Sequence, residues 1–428
     1  MYTETATALL DFIHNSPTAF HVVDNLTKLL EGFTPLSEGE EWTLESGKSY
    51  YVTRNGSSLI AFRLPEGELK GFHIAAAHSD SPVFKIKPQP EIRERGYVKL
   101  NVEKYGGMLC APWLDRPLSV AGRLVVRDGE GMAVKLVNVD RDLAIIPNLA
   151  IHMNRSVNDG MAYNPQTDLL PIYALGEEES FLSLIANEAG VQEQDILDYD
   201  LYLYNRMGGS IWGAKGEFIS SRSLDDLQCA WPLVKGLALA EKSRHWGAVC
   251  CVFDNEEVGS ASRQGAASTF LPDVIERICD ALGLGVQQSK AVISRSFLIS
   301  ADNAHAVHPN HPEKADPTNQ PKLNEGIVIK YNAALRYTTD ALSSARFKLL
   351  CEKAGVSVQS YTNRSDIPGG STLGCIALRK LGVSTVDIGL AQLAMHSPYE
   401  TAGVQDTESL LRVMEHYYGA EGLMGAQV

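Results

Sequence analysis

The stretch GAVCCVFDNEEVGS, residues 247–260, decides the reading of the fold. Seven apolar or small residues run from Gly247 to Phe253 with no polar alternation, and turn residues follow at once. Such a run reads as a strand buried on both faces, as in a parallel sheet covered by helices. The acids then crowd together: Asp254, Glu256 and Glu257. Neighbours in extended chain point opposite ways, so two adjacent glutamates are expected to have different partners. They read either as a solvated acidic corner or as two carboxylates with separate roles at one site.

The same texture recurs along the chain. FHIAAA (72–77), SFLISA (296–301), GIVIKY (326–331) and TVDIG (385–389) are apolar strands, and helical patterns follow residues 226, 271, 341 and 406. Two amphipathic helices over 5–31, broken at Asn15-Ser16-Pro17, precede a hairpin signalled by Asn55-Gly56. Together these predict an α/β fold: a mixed, largely parallel sheet with helices on both faces. From residue 87 to 220 the pattern changes to alternating segments, YVKLNVEKY, LSVAGRLVVRD and MAVKLVNV, with a helix expected over 177–197. A β-rich insertion over 87–220 is therefore expected within an α/β domain formed by 1–86 and 221–428.

The 428 residues suit two or three domains, with 44% hydrophobic and 21% charged residues, as in globular proteins. A net charge of −14 argues against nucleic acid or an anionic membrane as partner. No apolar run approaches the roughly 18 residues of a membrane span, and no signal peptide is read at the start. Seven cysteines without a C-x-x-C spacing suit a reduced compartment, and a cytoplasmic location is expected.

Functional groups of open α/β sheets gather beyond the carboxyl ends of strands. FHIAAA ends in His78 and Asp80, GAVCCVF in Asp254, Glu256 and Glu257, and SFLISA in Asp302, then His305 and His308. TVDIG leads to His396, and SRSLDDL brings Asp225 and Asp226 to a helix start. Taken singly, each has an ordinary reading. His78-Ser79-Asp80 makes a hydrogen-bonded turn, and Asp225-Asp226 an N-cap with acids favoured by the helix dipole. Jointly, imidazoles and carboxylates at four strand ends suit zinc, with manganese or cobalt also compatible. They exceed what one tetrahedral ion needs and point to a two-metal site.

The motifs AAHSDSP (76–82), SLDDLQCA (223–230), DNEEVGS (254–260), SADNAHAVHPN (300–310), GIVIKYN (326–332), DIPGGST (366–372) and MHSPYE (395–400) resemble, in order and spacing, the M18 family of dinuclear zinc aminopeptidases. That family includes the aspartyl aminopeptidases. The resemblance implies two Zn2+ per subunit: one held by His78 and Asp302, the other by Glu257 and His396, with Asp225 bridging. It implies Glu256 as general base and Asp80 as the acid that orients His78. It further implies Lys330 and Tyr337 in a pocket for acidic side chains and His152 reaching a neighbour's active site, while Gly369-Gly370-Ser371-Thr372, whose glycines permit close approach, reads as a substrate wall or a plain turn. His308 is expected near substrate, either facing it or standing behind the residues that do. The implied fold is phosphorylase/hydrolase-like with an inserted β-rich dimerisation domain. The implied assembly is a tetrahedral dodecamer built from dimers, acting on peptides with a free N-terminus. The eukaryotic members commonly read Leu-Asp-Asn where this chain has Leu224-Asp225-Asp226, so Asp226 adds an acid beside the metals.

Two other functions fit some of these residues. A metal-dependent deacylase or carboxypeptidase would use Lys330 or Arg336 for a free carboxylate. A non-catalytic metal-binding shell would leave the site idle, although Glu256 and all five ligand positions are intact. Lys330 as a solvated strand-end lysine and His152 as an interface histidine are the plainer alternatives.

Overall fold

The computed structural model describes residues 2–176, 180–370, 376 and 380–422. Among these, strands form three sheets of nine, six and five members. The nine-stranded sheet is mixed: five of its eight neighbouring pairs are parallel. At its centre Gly71–His78 lies between Trp246–Phe253 and Phe297–Ala301, all parallel, with Ser384–Gly389 next in order.

Strand Trp246–Phe253 explains why its sequence shows no alternation. Ala248, Cys250 and Val252 enter one apolar cluster, while Val249, Cys251 and Phe253 enter the other. Tyr2–His14, Leu224–Leu239, Ala341–Ala354 and Asp406–Gly419 contribute buried residues to the first cluster, and Phe270–Ala281 to the second. Both faces are thus covered, as the apolar runs require. The hairpin at Asn55-Gly56 forms between Ser49–Arg54 and Ser58–Arg63, with both turn residues at positive φ. A helix over Val286–Arg295, absent from the sequence reading, carries one buried residue, Val292, and so little apolar period.

The six-stranded sheet runs from Val83–Glu94 to Ile196–Asn205. Its partition differs from the expected limits of 87 and 220. Strands Ser210–Trp212 and Phe218–Ser221 pair instead toward Glu400–Gly403, in the five-stranded sheet with Ala391–Leu393 and Ala304–His305. Alternation marks a half-buried strand but does not say which sheet it joins. The helix expected over 177–197 is shorter, Phe181–Ala189, and ends at Gly190 in the left-handed conformation. Glu177–Glu179, which that expectation included, lie outside the described residues, as do Ser371 and Thr372.

Candidate metal centre and active site

The central strands end together. Phe253 is in register with His78, and Ala301 with Ile388, so His78, Asp254 and Asp302 emerge at one edge of the large sheet. The five-stranded sheet lies beside that edge and supplies Ala304 and His305, while His396 sits in the turn joining Ala391–Leu393 to Glu400–Gly403.

Two donor groups form and share one residue. His78, Asp225, Asp226 and Asp302 bring ligand atoms within 4.8 Å of one another, and so do Asp225, Glu257 and His396. Asp225 Oδ1 is 3.5 Å from His78 Nε2, and its Oδ2 is 3.5 Å from His396 Nε2. Glu257 Oε2 is 3.4 Å from His396 Nε2. One carboxylate therefore turns an oxygen to each group.

The imidazoles are oriented by what their other nitrogens do. His78 Nδ1–H donates to the Asp80 carbonyl at 3.0 Å, and His396 Nδ1–H to the Gly107 carbonyl at 2.5 Å. Both Nε2 atoms are left as lone-pair donors facing the acids. Glu400, buried and missed in the sequence, accepts the Asp225 N–H at 2.9 Å and the His396 N–H at 2.7 Å. It fixes the backbones of two candidate ligands at once.

Glu256 and Glu257 do not sit in extended chain. After Asn255 in the left-handed conformation they enter a 3-10 turn, Glu256–Val258. Asp80 cradles that turn, its Oδ1 accepting Glu256 N–H and its Oδ2 accepting Glu257 N–H, both at 3.1 Å. The two side chains diverge because of the turn, not the strand pleat. Glu257 joins a donor group, whereas Glu256 lines the cleft without joining either. Tyr105, also unforeseen, donates its hydroxyl to Asp80 Oδ2 at 2.7 Å and accepts from Asn255 Nδ2 at 2.8 Å.

The electrostatics favour cations here. Burial pushes Glu256 up to about 8, and Asp302, Asp80 and Asp225 add to the rise against His78. Burial and Asp225 push Glu257 well above the carboxylate range, and burial does the same to Asp226. Asp225 moves the other way: against the cost of burial, His396 and His78 hold it below its ordinary value. Three buried oxygens, Asp225 Oδ1, Asp226 Oδ1 and Glu257 Oε1, have no hydrogen-bond partner. Unpartnered buried acceptors among crowded acids and two Nε2 donors match the N/O ligands that zinc takes.

Asp225 and Asp226 form no N-cap. Asp225 has a non-helical ψ of 107°, and the two are 3% and 0% exposed. Lys330 is not solvated either: it is 3% exposed, with Nζ 3.6 Å from Asp302 Oδ2 and 5.6 Å from the Tyr337 ring centre. Asp302 outweighs burial and holds its pKa above the ordinary value. Lys330, Tyr337 and Gly370 line the same cleft as the donor groups, together with His305, which the sequence placed among the strand-end groups, and Tyr361, which it did not. His308 lies in an adjoining groove. His152 is exposed on a loop of the 147–167 segment and is not among the cleft's lining residues.

Known proteins carry this geometry further. The chain is 48% identical over 426 residues to a probable M18 family aminopeptidase 2 of Clostridium novyi, covering 96% of this chain and 98% of that one. It is 43% identical to the protein of the same name in Pseudomonas aeruginosa, over 99% of this chain and all of that one. Among solved structures, Ape4 in its complex with Nbr1 is similar with a TM-score of 0.94 and 37% identity, over 98% of this chain and 86% of that one. The Saccharomyces cerevisiae mApe1 dodecamer is similar with a TM-score of 0.85 and 27% identity, over 97% of each chain. The family model described as aminopeptidase I zinc metalloprotease (M18) matches residues 12–418, and this chain belongs to that family of zinc aminopeptidases.

Proposed function

We propose that the protein removes single N-terminal residues, acidic ones in particular, from peptides. The observation that carries this reading is Asp225, whose two oxygens face His78 Nε2 and His396 Nε2. His78 and Asp302 would hold one zinc ion, Glu257 and His396 a second, with Asp225 shared between them. Two such ions acidify a water molecule and polarise the scissile carbonyl.

The chain's own groups do the rest. Glu256, in the cleft but outside both donor groups, takes the proton from the attacking water and returns it to the leaving amine. Asp80 holds the backbone of Glu256 and Glu257 and so fixes the base relative to a ligand. Glu257 and Asp302, both in the cleft, are the carboxylates that would read the substrate's free α-amine. Lys330, enclosed beside Tyr337, offers the cation that an acidic side chain needs, and Gly370 lines the same cleft. His308 acts on the same substrate from the adjoining groove.

Assembly into a tetrahedral dodecamer of dimers belongs to this reading, with the six-stranded sheet region as the dimerising part and His152 serving a neighbouring subunit. Leu149, Ile151 and Met153, which flank His152, are 54%, 48% and 73% exposed. An apolar cluster of that kind marks a surface that another chain covers. No helix among the described residues is long and apolar enough to cross a membrane, and a cytoplasmic location is proposed.

The test is Glu256→Gln, assayed with a panel of N-terminal residues and with zinc quantified. The variant should lose at least about 100-fold in kcat, the scale of general-base catalysis, while keeping its zinc. Near-wild-type turnover would remove Glu256 as base. A panel preference for neutral residues alone would remove Lys330 from the pocket.

A further inference from the structure

The metal cleft does not end at Lys330. It opens through His305, Tyr361 and Gly370 into a groove of about 520 Å³, larger than the cleft's own 210 Å³ or so. The groove is bounded by the chain that follows Ala304–His305 and by the segment after strand Val358–Thr362. In a protein of net charge −14, none of the described residues lining it is Asp or Glu. It carries instead Lys314, Arg364 and three imidazoles.

Those groups are not equivalent. Arg364 is matched by Asp366, which accepts from Nε at 2.9 Å and from Nη2 at 2.8 Å, so it shapes the wall more than it attracts. His311 has Glu313 at 3.2 Å. Lys314 is exposed and has no carboxylate within ion-pair distance among the described residues. His308 Nδ1 accepts the Asn310 N–H at 3.2 Å, which leaves Nε2 as the proton-bearing nitrogen and a donor for an anion.

An exopeptidase needs one closed end for the terminal residue and one open end for the remaining chain. Lys330, 3% exposed, closes the cleft, and the groove is its open continuation. We propose that this groove binds the peptide beyond the scissile bond and selects an acidic side chain on the second residue there. The proposal rests on the aminopeptidase reading of the cleft and adds a second specificity site, keyed to Lys314.

The experiment compares Glu-Asp-Ala, Glu-Ala-Ala and glutamyl-p-nitroanilide with the zinc-loaded, assembled protein. Wild type should favour Glu-Asp-Ala over Glu-Ala-Ala by about fivefold in kcat/KM, carried by KM, the scale of a partly exposed charge pair. Lys314→Gln should bring the ratio close to one, Lys314→Glu should invert it, and Lys290→Gln, an exposed lysine elsewhere, should leave it unchanged. A wild-type ratio of one, or a ratio that survives Lys314→Glu, overturns the groove proposal. Turnover of the anilide, which has no second residue, would then still uphold the cleft. Failure to cleave all three overturns both.

Discussion

Asp225 and Asp226 are adjacent, buried and chemically identical, yet they face different tasks. Asp225 lies between two imidazole nitrogens. Asp226 accepts the His78 backbone N–H at 3.2 Å, and its nearer oxygen is 4.0 Å from His78 Nε2. The sequence showed two acids at a helix start and suggested an added negative charge beside the metals. Burial pushes the Asp226 carboxyl well above the carboxylate range. An amide oxygen can accept the same N–H. Asp226→Asn should therefore keep zinc content and hold kcat/KM within about threefold, while Asp225→Asn should lose both by 10-fold or more. Metal analysis and steady-state kinetics on the pair decide it; equal losses would make Asp226 a ligand.

At the scale of elements, the strand Tyr97–Tyr105 links the six-stranded sheet to the metal centre. Its last residue holds Asp80, and the carbonyl of Gly107, two residues on, holds His396. Gly106 has a φ of +78°, and a Cβ there would meet the Glu257 Cβ at 3.1 Å, so only glycine passes this point unstrained. Tyr105→Phe should weaken zinc binding about 10-fold in a chelator competition, because Asp80 loses a donor while the ring keeps its packing. Unchanged zinc affinity would leave the tyrosine a packing residue only. The strand ends were legible from sequence because apolar runs stop abruptly at His78, Phe253 and Ala301 and the acids come directly after. Tyr105, Gly107 and Glu400 were not, because their roles arise where three sheets meet. No local period records such a junction. The sequence reading divided Glu256 from Glu257 on a premise of extended chain, and a 3-10 turn stands in its place.

For the whole molecule, buried acids also set how stability follows pH. Asp406 opens the last helix, is 0% exposed, and is pushed up to about 7 by burial. The unfolded chain releases that proton near pH 3.9. Between those values the folded state holds more protons, so stability from this group is full below about pH 4 and falls as pH rises to about 7. The loss approaches about 4 kcal/mol. An asparagine oxygen can still accept the Asn324 N–H that Asp406 accepts at 2.8 Å. Asp406→Asn should then gain in Tm relative to wild type between pH 5 and pH 8, and parallel curves would refute the assignment.

The bond from His396 to Gly107 joins residues 289 positions apart, and Glu400 ties the same turn to Asp225. During synthesis this centre cannot close until residues 396 to 400 have emerged. A nascent chain that stops short of residue 396 lacks both His396 and the carboxylate that fixes Asp225.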